Sequence, residues 1–365
     1  MIAKLKPDSI AIVLPRGTSF GPSRATSIDL CVHDFVRHSR YAHCATIHST
    51  AIENPFPGFD LRGDRGGAGG QLGKAVRMAR RIRKEGAALT VVHQHLPSAF
   101  VLSKLLDHPV LLHAHNFQKA MSPSIHRWLR RWRYSGLAGI VFVSEECRGD
   151  FQKNWPDLKI PSFVVHNGLD LSLWAPNSQK SAQILVVARA APEKGVLEAA
   201  LAIQRVLPEL PGWTSLFILS EVERHPAYHE QIREIAAASN GAITILTNQT
   251  HETVKQATEG SEIALVLSKW AEPFGRTAIE AHAGGAALIS SGRGGLHEVS
   301  ADAALYVDPD DGDQVAAAIL ELATQDTLRR ALADRGRARV SAHFDIRQVS
   351  ATLDDVYQLL MPENS

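Results

Sequence analysis

Glu272-Pro273-Phe274-Gly275-Arg276-Thr277-Ala278-Ile279-Glu280 sets two carboxylates eight residues apart around a Pro-x-Gly break. Pro273 and Gly275 are unsuited to a helix interior. The spacing therefore predicts a loop that leaves an apolar strand at residues 263–267 and enters a helix near Arg276. Glu272 then lies in the loop and Glu280 about one turn inside the helix. A helix start at Gly275, Arg276 and Thr277 offers backbone N–H groups and a positive dipole end, which suits a diphosphate. Carboxylates at these two places can accept hydrogen bonds from hydroxyl groups. A random pair of glutamates is ordinarily no more than a solvated helix face, so the neighbouring segments have to decide.

Two of them do. Apolar residues 184–188 are followed by Arg189-Ala190-Ala191-Pro192-Glu193-Lys194-Gly195, which puts an Arg and a Lys in a strand-to-helix loop where they can grip phosphate charge. Gly284-Gly285-Ala286-Ala287 and Ser291-Gly292-Arg293-Gly294-Gly295 supply small residues for tight loops at the same strand edge.

Outward from there the whole chain alternates short apolar runs with helical periods. Strands are expected at residues 10–14, 42–48, 90–93, 110–113, 139–143 and 163–165, and in the second half at 184–188, 215–220, 243–246, 263–267, 287–290 and 305–307. Helices are expected between most of them, with Ser144 as an N-cap. Residues 55–73, rich in Gly, Pro and charge, read as a mobile loop, and residues 297–299 as a short turn. This rhythm implies α/β architecture: parallel sheets with helices on both faces, and loops gathered at the carboxyl edge. A break near Asn167-Gly168-Leu169-Asp170 predicts two doubly wound, Rossmann-like domains, residues 1–168 and 169–345, facing across a cleft.

The chain has 365 residues, 45% hydrophobic and 21% charged, with a formal net charge of +1. Bulk charge selects no partner and argues against nucleic acid, as does the lack of a recognised module. Between residues 71 and 135, however, Glu85 and Asp107 are the only acids among many Lys and Arg. Cys31, Cys44 and Cys147 are odd in number and scattered, which fits a reduced, cytoplasmic setting and no metal-ligand spacing. No apolar run is long enough to span a membrane. No Gly-x-Gly-x-x-Gly follows the first strand, which disfavours a nicotinamide-dependent dehydrogenase.

The combination of motifs resembles glycosyltransferase family 4, retaining enzymes of GT-B fold. Glu272 to Glu280 matches the family's E-x7-E. Its continuation runs from Ala281 to Glu298, with Ala287 in place of the usual Pro. The family's G-R-x4-K-G appears as Ala188-Arg189 to Lys194-Gly195, with Ala188 replacing Gly, and N-G-V-D appears as Asn167-Gly168-Leu169-Asp170. The first loop, Pro15-Arg16-Gly17-Thr18-Ser19-Phe20-Gly21, is a looser match to a Gly-Gly loop. Val92-His93-Gln94-His95 matches a V-H-x-H strand end, and His115 matches the active-site histidine. His93, His95 and His113 read as loop-capping residues. The Phe274 variant of the motif, with Phe20-Gly21-Pro22-Ser23-Arg24, resembles bacterial lipopolysaccharide core transferases, many of them mannosyltransferases.

The resemblance implies a hexosyltransferase that moves a hexose, mannose favoured, from a nucleoside-diphosphate sugar, GDP-mannose favoured, to a glycan or lipid-linked acceptor. No cofactor and no metal are expected. Arg189 and Lys194 would stabilise the leaving diphosphate, Glu272 would hold sugar hydroxyls, Glu280 the ribose, and His115 the sugar near C6. Gly17, Phe274, Gly275, Arg276 and Thr277 would line the donor site, and Asn248 would meet the nucleobase. Asp308-Pro309-Asp310-Asp311 reads as a turn and N-cap. Residues 346–365 would form a helix packing back on the first domain, which would bind the acceptor. Basic helices around residues 77–84 and 127–133, the latter with Trp128 and Trp132, are expected either to face an anionic acceptor or the headgroup surface of the inner membrane, on its inner face, or to be a solvated face with its Trp side chains in the core. An exopolysaccharide or glycolipid acceptor, or a sugar-nucleotide epimerase on the same scaffold, stays open.

Overall fold

Thirteen strands and thirteen α-helices alternate along the chain in a computed structural model that describes residues 8–15, 20–22, 25–50, 54–64, 70–118 and 124–362. By compactness they divide into two units, residues 1–168 with 346–365, and residues 169–345.

The first unit contains β1 (Ile10–Val13), α1 (Ser27–His38), β2 (Ala45–Thr50), β3 (Asp60–Asp64), α2 (Gly70–Glu85), β4 (Leu89–His93), α3 (Leu96–Leu105), β5 (Val110–Ala114), α4 (Ser124–Tyr134), β6 (Gly139–Phe142), α5 (Glu145–Asn154) and β7 (Ser162–Val164). Its strands form one parallel sheet in the order β3-β2-β1-β4-β5-β6-β7. Strands buried on both faces read as near-continuous apolar runs. Accordingly β1, β4, β5 and β6 are buried at every position. Thr26 caps α1 in a reciprocal box with Asp29, a device worth about 1 kcal/mol.

The second unit contains β8 (Ser181–Arg189), α6 (Val196–Val206), β9 (Thr214–Ser220), α7 (Pro226–Ala237), β10 (Ile243–Thr247), α8 (His251–Gly260), β11 (Ser261–Val266), α9 (Arg276–Ala283), β12 (Ala287–Ser290), α10 (Gly295–Ser300), β13 (Ala304–Tyr306), α11 (Gly312–Thr324) and α12 (Asp326–His343). Its parallel sheet runs β10-β9-β8-β11-β12-β13. Lys180, half-buried, ties two helix ends together by donating to the carbonyls of Glu259 at 2.8 Å and Gly284 at 2.7 Å.

The last helix, α13 (Ile346–Leu360), belongs to the first unit. Asp354 accepts from Ser39 Oγ at 2.6 Å and from the Arg40 N–H at 2.8 Å, while Ile346, Leu353 and Tyr357 join the core around Phe35.

Three local readings need correction. The segment expected as a loop over residues 55–73 holds β3 and the start of α2. β3 is an edge strand of Asp, Arg and Gly with mostly exposed residues, so it carries no apolar signal. The strand expected from residue 42 starts at Ala45, after a 3-10 turn over Ala42–Cys44. The turn expected at 297–299 is the helix α10.

Both sheets reverse direction of strand addition once. The first does so between β1 and β4, the second between β8 and β11. Ligands of open α/β sheets bind outside the carboxyl ends of the strands at such a switch point.

Candidate active site

At the β8/β11 switch point the two loops singled out in the sequence are laced together. The loop after β8 runs from Arg189 through a 3-10 turn, Pro192–Lys194, into Gly195. Gly195 has φ 65°, and a Cβ there would lie 2.1 Å from the Leu267 carbonyl oxygen, so the close approach of the two loops requires glycine. The Lys269 N–H donates to the Glu193 carbonyl at 2.8 Å across the same gap. On the other side, the Gly295 N–H donates to the Glu272 carbonyl at 2.7 Å, and the Glu272 N–H to the Arg293 carbonyl at 3.2 Å. A Cβ on Gly294 (φ 66°) would meet the Glu272 carbonyl oxygen at 2.4 Å. The small residues of the second Gly-rich stretch thus hold Glu272 in place.

The side chains that converge there are Lys194 and Glu272, with Nζ 2.5 Å from Oε1 and both mostly buried. Ser268 Oγ donates to the same Oε1. The Lys194 ammonium also stands 5.4 Å from the centre of the Trp270 ring, within cation–π range. One helical element on, Glu280 is buried and receives Arg276 Nε at 2.9 Å and His251 Nε2 at 3.1 Å, again both on Oε1. Burial alone would raise the Glu280 pKa. The facing His251 and Arg276 outweigh it and hold the carboxyl below its usual value. Gly275, at φ 120°, precedes α9, and no side-chain cap bond is made there among the described residues; Thr277 lies in its first turn.

Arg189 stands apart from the Lys194–Glu272 pair. It is half-exposed and reaches Glu193 at 3.2 Å and Glu221 at 3.7 Å. Asn248, at φ 50° just past β10, accepts from the Glu221 N–H at 3.2 Å. Glu221 therefore links the loops that carry Arg189 and Asn248. The Phe274 side chain is buried edge-to-face against Phe344, 5.6 Å between ring centres. Gly17 lies outside the described residues. Asp311 caps α11 by accepting from the N–H groups of Asp313 and Gln314, and Asp308 and Asp310 pair with Arg293.

In the first unit, His115 follows β5 and is buried. His95 does cap: its Nδ1 accepts from the Ser98 N–H at 3.2 Å at the start of α3. His93 and His113 do not. His93 Nδ1 lies 2.8 Å from His115 Nε2, and neither ring nitrogen of His113 has a hydrogen-bond partner among the described residues. Burial pushes His93 and His113 well below the ordinary imidazole value and His115 down to about 3. The basic helix α4 carries Trp128 and Trp132 at 62% and 48% exposure, so these indoles are not core anchors.

Sequence reasoning missed Ser268 and Trp270, although both stand in the loop directly before Glu272, and the partners His251 and Glu221, which no local spacing ties to their targets.

The arrangement gives the second unit two carboxylates with one oxygen each engaged, a lysine among them, and an uncapped helix start. That equipment suits an anionic, hydroxyl-rich ligand. A profile described as Glycosyltransferase Family 4 matches residues 51–173, and one described as Glycosyl transferases group 1 matches residues 174–339. Glycogen synthase of Mycobacterium tuberculosis is 25% identical over 308 residues, covering 77% of this chain and 72% of the relative. Phosphatidyl-myo-inositol mannosyltransferase of Mycolicibacterium smegmatis is 25% identical over 284 residues, covering 73% and 70%. Anabaena HepE, solved with UDP and glucose, superposes with a TM-score of 0.78 at 14% identity over 95% of this chain and 99% of its own. With two Rossmann-like units of GT-B type, each half of the chain matched by a glycosyltransferase profile, and the two motifs gathered at one switch point, the chain is a glycosyltransferase acting on a sugar-nucleotide donor.

Proposed function

We propose that the enzyme transfers a hexose, with mannose from GDP-mannose as the favoured case, to the core of a lipopolysaccharide or a related surface glycan or glycolipid, with retention of anomeric configuration. The observation that carries the donor side is the Lys194–Glu272 pair at the β8/β11 switch point. When the glycosidic bond breaks, negative charge grows on the departing diphosphate. Lys194, Arg189 and the start of α9 are the groups that answer it. One such donor aimed at developing charge is worth roughly 3–4 kcal/mol, about 10²–10³ in rate. Glu272 Oε2 and Glu280 Oε2 are the oxygens not engaged by these partners, and they suit sugar and ribose hydroxyls. His115 holds the sugar near C6. The scheme requires no metal ion.

The acceptor reading rests on α4. Ile125, Trp128 and Trp132 are three large exposed apolar side chains on an 11-residue helix that also carries Arg127, Arg130, Arg131 and Arg133. Exposed indoles flanked by arginines are the pattern of a helix lying in an anionic membrane interface. We take this to be the inner face of the inner membrane, where a lipid-linked acceptor is met. No helix among the described residues is long and apolar enough to cross a membrane.

Incubation with GDP-mannose and with UDP-glucose, followed by NMR, tests the reaction class. Release of nucleoside diphosphate with a freed or transferred sugar of unchanged anomeric configuration is expected. Isomerised donor sugar with no release would point to an epimerase instead.

A further inference from the structure

The proposed reaction leaves two buried histidines unused. His93 ends β4 and His113 stands beside it on β5, in register. Both rings, and that of His115, are buried. The His93 and His115 rings meet edge to edge, Nδ1 to Nε2 at 2.8 Å with planes 22° apart. His113 stacks on His115 at 4.5 Å and 12°. The backbone of His115 is fixed as well: its N–H donates to Gln94 Oε1 at 2.7 Å, and Gln94 adopts φ 62°, unusual for a residue with a side chain. The burial that lowers all three pKa values keeps the rings neutral.

A hydrogen bond between two neutral imidazoles needs one donor and one acceptor, so the tautomers of the pair are complementary. If His93 Nδ1–H donates, His115 carries its proton on Nδ1. In the reverse arrangement His115 Nδ1 is a bare acceptor. In both cases the far side of the His115 ring has a hydrogen-bonding sense set by His93. We propose that His93 is a positioning residue that fixes the orientation and tautomer of His115, so that His115 Nδ1 meets the donor sugar with one defined hydrogen-bonding role. This rests on the reading of His115 as the residue that contacts the sugar.

A metal ion is the competing explanation, because the three histidines offer ring nitrogens within 4.8 Å of one another. The 2.8 Å contact speaks against it. Two nitrogens bound to one tetrahedral zinc at about 2.0–2.1 Å would stand roughly 3.3 Å apart, with no hydrogen between them.

The test is a double-mutant cycle read as nucleoside-diphosphate release from GDP-mannose or UDP-glucose, together with nitrogen-15 NMR of the labelled histidines. His93→Phe lowers kcat roughly tenfold, the scale of one hydrogen bond. His93→Asn, whose amide can occupy the Nδ1 position, retains most of the activity. His93→Phe costs nothing further in a His115→Ala background, because His93 acts through His115. In the spectra His115 shows one dominant neutral tautomer in the wild type and a mixture in His93→Phe. Equal losses from His93→Phe with and without His115, an unchanged tautomer in that variant, or one equivalent of zinc in the purified protein would each overturn the proposal. If His93→Phe fails to fold, His93→Asn and the wild-type spectra still decide. A fully active His115→Ala would instead refute the reading on which the proposal rests.

Discussion

Lys194 Nζ and Glu272 Oε1 lie 2.5 Å apart although 78 residues separate them in the chain. Each stands in a strand-to-helix loop, one after β8 and one after β11, and the two strands are neighbours at the point where the sheet reverses. The pair neutralises itself before any ligand arrives. In the proposed reaction a diphosphate that drew Lys194 away would also release Glu272 Oε1, which would link the two halves of donor recognition.

Lys194→Ala and Arg189→Ala should each cut turnover by about 10²–10³, the usual cost of losing one group aimed at transition-state charge. Steady-state kinetics with the preferred donor checks this, and near-wild-type rates in both variants would contradict it. Lys194→Ala combined with Glu272→Gln should cost less than the sum of the single losses, because the residues are in contact.

Gly195→Ala should destabilise the second unit by on the order of 1–3 kcal/mol, since alanine is strained at φ 65° and its Cβ would press on the Leu267 carbonyl. Gly212→Ala, at φ 86° but with open space around it, supplies the control for backbone strain without a clash. Thermal melts should rank Gly195→Ala clearly below Gly212→Ala; equal melting midpoints would contradict the close-approach argument.

Acidification should weaken the fold between pH 6.5 and 4. His282 is fully buried, with Nε2 3.0 Å from Ser300 Oγ, and burial lowers its pKa to about 4. Its folded value lies below its unfolded one, so the unfolded chain takes up the proton first. The stability is present above pH 6.5 and is lost as pH falls toward the folded value. The span is worth on the order of 2–3 kcal/mol for this residue alone. Denaturant melts at pH 7.5 and pH 5 should show the drop, and His282→Gln should shrink it. A pH-independent midpoint would contradict the assignment.

Trp128→Ser with Trp132→Ser should abolish most co-sedimentation with vesicles containing anionic lipid while barely changing the melting midpoint, because both indoles are largely solvent-exposed. Equal sedimentation of wild type and variant, or of anionic and neutral vesicles, would remove the membrane reading.

The sheets were legible because parallel strands covered on both faces must be apolar runs, and β1, β4, β5, β8 and β11 are such runs. β3 was not, since an edge strand written Asp-Leu-Arg-Gly-Asp carries turn residues and charge. At the site, the Pro-x-Gly break and the Arg-to-Lys loop announced their positions but not their pairing. Only the strand order puts Lys194 beside Glu272. The bond between His93 and His115 had no sequence signal at all: a histidine at a strand end reads the same whether it caps a loop or holds another ring.

The most direct test of the donor site is a melting-temperature titration of wild type, Lys194→Ala and Glu272→Ala with GDP-mannose, UDP-glucose and ADP-glucose. A ligand that binds only the folded state raises the midpoint by mass action, about 2.7 kcal/mol of added stability at one hundred times its Kd. One donor should shift the wild type strongly, with GDP-mannose expected to lead, and that shift should largely vanish in both variants. No shift with any donor, or an equal shift in the variants, would contradict a donor site built on Lys194 and Glu272.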